Sequence, residues 1–311
     1  MSLNLETVSR SDRFRGCLLG LAVGDAFGAP FEGMPADAIY YSFGFARKIV
    51  AKPPMDSLTY TDDTQMMIGV AEAILESGRI EEASLVRAFV RNFDPGRGYG
   101  QGARKILDLM ASGGNWRELS RTIFPGGSLG NGAAMRAAPV GLFFHDDLDR
   151  VAEEAARSAY PTHVHPVGVE GAQLIALAVA LVMRNERFDK DAFYSELMAR
   201  AGTDEFQRQL AKAALLGPED SVAGFGSTLE AHRSVVTAIA CFASSPESYV
   251  EVIARAVGLG DDTDTVAAMA GAISGAHLGV GALPKHLLSL MENGPKGRDY
   301  IDELSKKLAV L

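Results

Sequence analysis

Gly16-Cys17-Leu18-Leu19-Gly20-Leu21-Ala22-Val23-Gly24-Asp25-Ala26-Phe27-Gly28 is the stretch on which the fold turns. Its four glycines recur at every fourth position of an apolar run, so a helix would gather them into one smooth stripe. A glycine inside a helix costs about 1 kcal/mol relative to alanine. Close approach of a second helix is the return that such a stripe implies. It is read as structural, with Gly28 at the helix end or in the loop beyond it.

Helical signals continue outward from there. Ala71–Leu75 runs into Ser77-Gly78, a glycine stop, and Val86, Phe89, Val90 and Phe93 recur at spacings of three and four. Ile106, Leu107 and Met110 repeat the pattern before Gly113-Gly114. Further helical blocks are predicted near 131–144, 147–159, 165–184, 188–200, 204–215, 230–243, 247–257, 264–279 and 297–310. No series of alternating β-branched runs with hairpin turns interrupts them. An all-α protein follows, a compact single-domain array of crossing helices over 1–311, with residues 1–10 expected to be disordered or, for Met1-Ser2-Leu3, a vector remnant. Gly171–Met183 is too short to span a membrane, which takes about 20 apolar residues, and is expected to be a buried helix. The apolar Cys17–Val23 run follows Arg10, Arg13 and Arg15 but meets Asp25 at once, and is not read as a leader.

The 311 residues are 47% hydrophobic and 22% charged, with a formal net charge of −9. That balance argues against a broad nucleic-acid footprint, which needs clustered Lys and Arg. The two cysteines, Cys17 and Cys241, lie in apolar runs without redox or metal spacing. Buried free thiols suit a reducing compartment. A cytoplasmic monomer with no membrane or nucleic-acid partner is expected.

Two acidic clusters carry the chemistry. Thr61-Asp62-Asp63-Thr64 and Asp261-Asp262-Thr263-Asp264-Thr265 each open an apolar helical pattern. Asp and Thr are favoured helix caps, but one carboxylate suffices for that. Five aspartates would repel one another unless a cation sits among them. Oxygen-only ligands select Mg²⁺, Mn²⁺ or Ca²⁺ rather than zinc. Two such clusters, about 200 residues apart, point to a pair of ions between two helix starts, able to orient hydroxyls and activate a water. A third feature, Gly126-Gly127-Ser128-Leu129-Gly130-Asn131-Gly132, precedes the helix-like run Ala133-Ala134-Met135-Arg136. It is either a plain loop with Asn131 near a cap or a cradle of backbone N–H groups for phosphate. It lacks the Gly-Lys-Ser/Thr ending of a P-loop.

Taken together, Gly20-Leu21-Ala22-Val23-Gly24-Asp25-Ala26-Phe27-Gly28 with Glu32, Thr61-Asp62-Asp63, Asn131-Gly132-Ala133-Ala134-Met135-Arg136 and Gly260-Asp261-Asp262-Thr263-Asp264-Thr265 with Gly271 resemble the ADP-ribosylglycohydrolase family. The resemblance runs from about residue 12 to 290, with every motif in family order. It implies an all-α fold holding two Mg²⁺ ions (Mn²⁺ in some members) and hydrolysis of the bond between ADP-ribose and its acceptor. That acceptor would be an arginine or serine side chain of a modified protein, or a small conjugate. By position it implies Thr61, Asp62, Asp63, Asp262, Asp264 and Thr265 as metal ligands, with Asp261 outside the set. Glu32 would sit at the metal site and gate access; a carboxylate from Glu32, Asp62 or Asp63 would act as acid or base. Gly127, Ser128, Leu129, Gly130 and Asn131 would cradle the diphosphate, Tyr99 and Gly100 would line the cleft, and His163 would lie near the substrate ribose. The rival readings are a catalytically inactive, crystallin-like binding protein on this fold and a generic two-metal phosphatase.

Three other residue groups are read as structural. His163 and His165 form a His-x-His without further zinc ligands at suitable spacing. Trp116, the sole tryptophan, is expected to pack rather than stack on a base. Phe143 and Phe144 are expected in the core, with one able to face an adenine.

Overall fold

The computed structural model describes residues 8–311 and is 68% helical. Among these residues there are seventeen α-helices and no strand, as the periodicities require. Local chemistry sets most of the boundaries. Ser9 caps the Arg10–Gly28 helix by accepting from the Asp12 amide, so residues 8–10, within the stretch expected to be disordered, have a defined structure; the rest of that stretch lies outside the described residues. Asp147, Asp189, Thr203 and Ser248 cap later helices in the same way. Gly78, at φ +66°, ends the Asp62–Ser77 helix in the left-handed conformation that glycine adopts freely.

The glycine stripe meets a second stripe. A Cβ on Gly16 would lie 2.2 Å from the Gly275 carbonyl oxygen, on Gly20 2.6 Å from that of Gly271, and on Gly24 2.2 Å from that of Ala267. On Gly28 it would lie 2.5 Å from the Asp264 Cα. The Arg10–Gly28 and Thr263–Leu278 helices are therefore antiparallel and touch backbone to backbone at four successive glycines. This contact sets the C-terminal end of the first helix beside the acidic N-terminal end of the second.

A continuous core extends from Phe14 to Ala309 and encloses both helices. The Pro166–Arg184 helix, apolar and long enough by composition to cross a membrane, is mostly buried within it. Cys17 and Cys241 are buried free thiols. The predicted 131–144 block is not one helix. Asn131–Ala133 is a single 3₁₀ turn, and the α-helix is confined to Ala138–Phe143, with Pro139 in its first turn. Three isolated backbone bridges join loops, and two of them, Pro35 with Gly260 and Gly130 with Glu230, flank the site described next.

Candidate active site

One cavity of about 300 Å³ is lined by Glu32, Asp62, Asp63, Asp262, Asp264 and Thr265 at one end. At the other end stand Ser128, Gly130, Asn131, Gly132, Thr162 and His163, with Phe124, Ile106 and Leu229 as apolar wall. The acidic end is built from two helix starts. Thr61 caps the Asp62–Ser77 helix, accepting from the Asp63 amide, and Asp262 stands at the cap position of Thr263–Leu278. Carboxylate oxygens of Glu32, Asp262 and Asp264 lie within 4.8 Å of one another.

A residue given no role by sequence reasoning organises this end. Asp25, fully buried, accepts from the Thr61 amide at 3.0 Å, the Thr61 hydroxyl at 2.8 Å, the Thr64 amide at 3.0 Å and the Thr64 hydroxyl at 2.5 Å. It thereby fastens the start of the Asp62–Ser77 helix to the glycine helix. Its only signal in the sequence is an acid inside an apolar glycine run. Asp261 is a second such device. It is the single non-glycine residue with positive φ among those described, at 59°, and follows Gly260 at 77°. Two successive left-handed residues turn the chain so that the Asp261 amide donates to Met34 and its carbonyl accepts from Gly33. The segment carrying Glu32 is tied to the second acidic cluster by these bonds.

The electrostatics of the acidic end are one-sided. Burial pushes the Asp62 carboxyl up to about 7, helped by Asp25, Glu32 and Asp262. Burial, then Asp25 and Asp264, holds Asp63 well above the usual range, and burial with Asp262 and Glu32 does the same to Asp264. Glu32 is raised by burial of its carboxylate and by Asp262. The largest charges acting on Asp63 are other carboxylates, and its buried Oδ2 has no hydrogen-bond partner. A clustered set of hard oxygen donors with an orphaned lone-pair atom, and with no lysine or arginine bonded to it among the described residues, fits a divalent cation.

The opposite wall is partly satisfied by the protein itself. The Asn131 amide donates to Leu229, that of Ala231 to Leu129, and that of Gly127 to Phe124. The Gly130 amide reaches Ser128 Oγ at 3.2 Å. Ser128, Leu129 and Gly132 keep amides without an acceptor among the described residues. The Asn131 side chain crosses the cavity and donates to Asp262 at 2.5 Å, linking the two ends.

The sequence model of the ADP-ribosylglycohydrolase family matches residues 6–311. The chain belongs to the ADP-ribosylglycohydrolase family. It is 32% identical to ADP-ribosylhydrolase ARH3 of Danio rerio over 339 aligned positions, covering 95% of this chain and 90% of the relative. Against the ARH3 proteins of Gallus gallus and Homo sapiens it is 34% and 31% identical, with 88% of this chain and 87% of each relative covered. A solved structure described as an ADP-ribosylglycohydrolase-related protein complex superposes with a TM-score of 0.75 at 26% identity, over 97% of this chain and 98% of that one.

Within this member of the family, the residues expected at the site divide into two groups. Glu32, Asp62, Asp63, Asp262, Asp264, Thr265, Gly100, Ser128, Gly130, Asn131 and His163 all line the cavity. Thr61, Tyr99, Gly127 and Leu129 are not among the lining residues. The Thr61 hydroxyl gives its proton to Asp25 while a lone pair accepts from Asp63, so it faces the helix start. The Tyr99 hydroxyl donates to Gln65 at 2.8 Å and its ring packs edge-on against Phe93, beneath the cleft. Gly127 packs on the backbone of His165, where a Cβ would come within 2.5 Å. Because the loop leads into a 3₁₀ turn, no helix N-terminus follows it to favour an anion; its free amides are the attractive feature that remains. His163 and His165 do not form a metal pair, since His165 caps the Pro166–Arg184 helix. Trp116 packs beneath Arg117, and Phe144 is core with Phe143 against it. The aromatic that does face the cavity is Phe124, laid over Gly102 and announced only by its position just before the glycine loop.

Proposed function

We propose that the protein hydrolyses the glycosidic bond between ADP-ribose and an acceptor, as the name of its ARH3 relatives describes for them. The supporting observation is the polarity of the cavity. An uncompensated carboxylate cluster stands at one end, and free amides beside an apolar wall stand at the other. ADP-ribose is polar at its distal ribose, anionic in the middle and aromatic at its base, and would lie along that gradient. The amides of Ser128 and Gly132 donate to diphosphate oxygens. Phe124 and Ile106 offer the base an apolar face. Asp62, Asp63, Asp262, Asp264 and Thr265, with Thr61 behind them, hold two Mg²⁺ or Mn²⁺ ions. Bound there, such ions supply positive charge that orients the ribose hydroxyls and lowers the pKa of a water. Asp62, Asp63 or Glu32 takes the proton of the attacking water or returns one to the leaving group, an effect typically worth about 10²–10⁴-fold.

The test is release of ADP-ribose from arginine-linked and serine-linked ADP-ribosyl peptides and from a small ADP-ribose conjugate, with Mg²⁺ or Mn²⁺ present. Turnover of at least one is expected. Binding of ADP-ribose without turnover of any would convert the reading to an inactive binding protein, and hydrolysis of generic phosphate esters instead would make it a phosphatase.

A further inference from the structure

Arg136 is among the largest fully buried side chains, yet it reaches no carboxylate. Its Nη2 donates to the Ser158 carbonyl at 3.0 Å and to Thr162 Oγ1 at 2.8 Å, and its guanidinium lies 4.7 Å from the centroid of the Phe89 ring. Thr162 Oγ1 is in turn 2.7 Å from His163 Nδ1. Thr162 and His163 are both more than nine-tenths buried. The cation is therefore spent on a threonine, and the threonine on a histidine that lines the cavity.

The direction of this chain follows from counting protons. A guanidinium can only donate, so Arg136 occupies a lone pair of Thr162. Thr162 has one proton to give, to His163 Nδ1 at 2.7 Å or to the Ala159 carbonyl at 3.5 Å. If Nδ1 carried hydrogen, Thr162 would accept twice and be left with the 3.5 Å contact, too long for a good bond. The arrangement that satisfies every group has Thr162 donating to Nδ1, which places the imidazole hydrogen on Nε2. That nitrogen has no partner among the described residues. The ring sits between glycines: a Cβ on Gly132 would lie 3.1 Å from its Cε1 and one on Gly168 3.1 Å from its Cδ2, so a side chain at either position would crowd it.

We propose that Arg136 and Thr162 are positioning residues that lock His163 in its Nε2–H form, making it a fixed, uncharged donor to an oxygen of the ligand in the cavity. A second proton is opposed by burial and by the Arg136 charge, which hold the ring at about 3. His163 in this state can neither take a proton at Nε2 nor ligate a metal through it, so it is neither general base nor metal ligand. The lock itself stands on protein geometry; only the identity of the oxygen acceptor rests on the proposed ADP-ribose reading.

Histidine ¹⁵N–¹H correlation spectra of the intact protein separate the two. In wild type and Thr162→Ser, the His163 ring is expected as the neutral Nε2–H tautomer from pH 5 to pH 8. In Thr162→Val, Nδ1 loses its donor, and the ring is expected to show a mixture of tautomers. Arg136→Lys keeps a donor and should retain more of the Nε2–H form than Thr162→Val. Calorimetry with ADP-ribose should show about fivefold to tenfold weaker binding for folded Thr162→Val, recovered in Thr162→Ser, the size expected for one misdirected hydrogen bond. An Nδ1–H ring, or an imidazolium forming near pH 6.5, in wild type overturns the lock even if the valine variant does not fold. A locked tautomer without ADP-ribose binding would leave the lock standing and remove the ligand reading.

Discussion

The Asp62–Ser77 helix carries buried carboxylates toward both ends, and they meet opposite fates. At its start, Asp62 and Asp63 face Asp25, Asp264, Asp262 and Glu32, and their affinities for protons are raised. Near its other end, burial alone would raise Glu72 as well. There, Lys296, Tyr300, Asn92 and Arg91 all donate to it and hold its carboxyl down at about 2. Lys296 also bonds Asn92, closing the network. Burial is common to the two ends; the charge of the neighbours decides the outcome. A buried acid with cations and donors around it holds the fold together. A buried acid among other acids holds its proton more tightly or needs a cation beside it.

The largest effect expected from this contrast is on turnover. Asp264→Asn and Asp62→Asn should each lose at least about a hundredfold of ADP-ribose release. EDTA should abolish it in wild type, with recovery on adding Mg²⁺ or Mn²⁺. Undiminished release in EDTA would show that the acidic end is complete without cations and would break the comparison.

Next is the satisfied end. Glu72 has a folded pKa of about 2 against an ordinary value of 4.5, so its contribution is present above the unfolded value and is lost as pH falls through about 2. With its side chain only 12% exposed, Glu72→Gln should cost about 3 kcal/mol in urea unfolding at pH 7. The gap to wild type should narrow by pH 3. A gap independent of pH would mean that packing rather than charge does the holding.

The helix contact that carries the acidic end can be strained directly. Gly24→Ala puts a Cβ 2.2 Å from the Ala267 carbonyl oxygen, where backbone must move. Overpacking of this kind costs about 1–3 kcal/mol. Release of ADP-ribose should fall as well, because the same contact spaces the two acidic starts. Unchanged stability would show that these helices slide freely past each other.

The smallest effect has the opposite sign. Asp63→Asn removes a buried carboxyl that has no partner at Oδ2 and is crowded by other acids, so in EDTA at pH 7 the variant should unfold at higher urea than wild type, by about 1 kcal/mol. With saturating Mg²⁺ the order should reverse, since only the wild type gains from the ion. A variant less stable under both conditions would place Asp63 with Glu72 rather than against it.

Periodic apolar patterning made the long helices legible, and paired acids before those patterns marked the acidic end of the cavity. What stayed hidden was set by contacts distant in sequence or by backbone geometry. The run from Asn131 to Phe144 is apolar apart from Asn131 and Arg136, yet Pro139 restarts the helix at Ala138. The short Ala36–Phe43 and Ala46–Ala51 helices bury little and leave Tyr40, Tyr41, Phe43 and Phe45 exposed, so no clear stripe marks them. Tyr99 looks like a cleft aromatic until Gln65 takes its hydroxyl. Asp25, Asp261 and the pairing of Glu72 with Lys296 depend on partners that only the folded chain brings near.

The backbone contact between the Arg10–Gly28 and Thr263–Leu278 helices has a consequence for how this chain can change over time. Loops on the surface can lengthen without touching the cavity. A single residue inserted into either helix, between its glycine contacts and its acidic end, would turn that end by about 100° and advance it by about 1.5 Å. The carboxylates would then point away from their counterparts, and no side-chain rotation could bring them back. Insertions here should be rejected outright, while the substitutions that survive on the stripe should be confined to residues no larger than alanine.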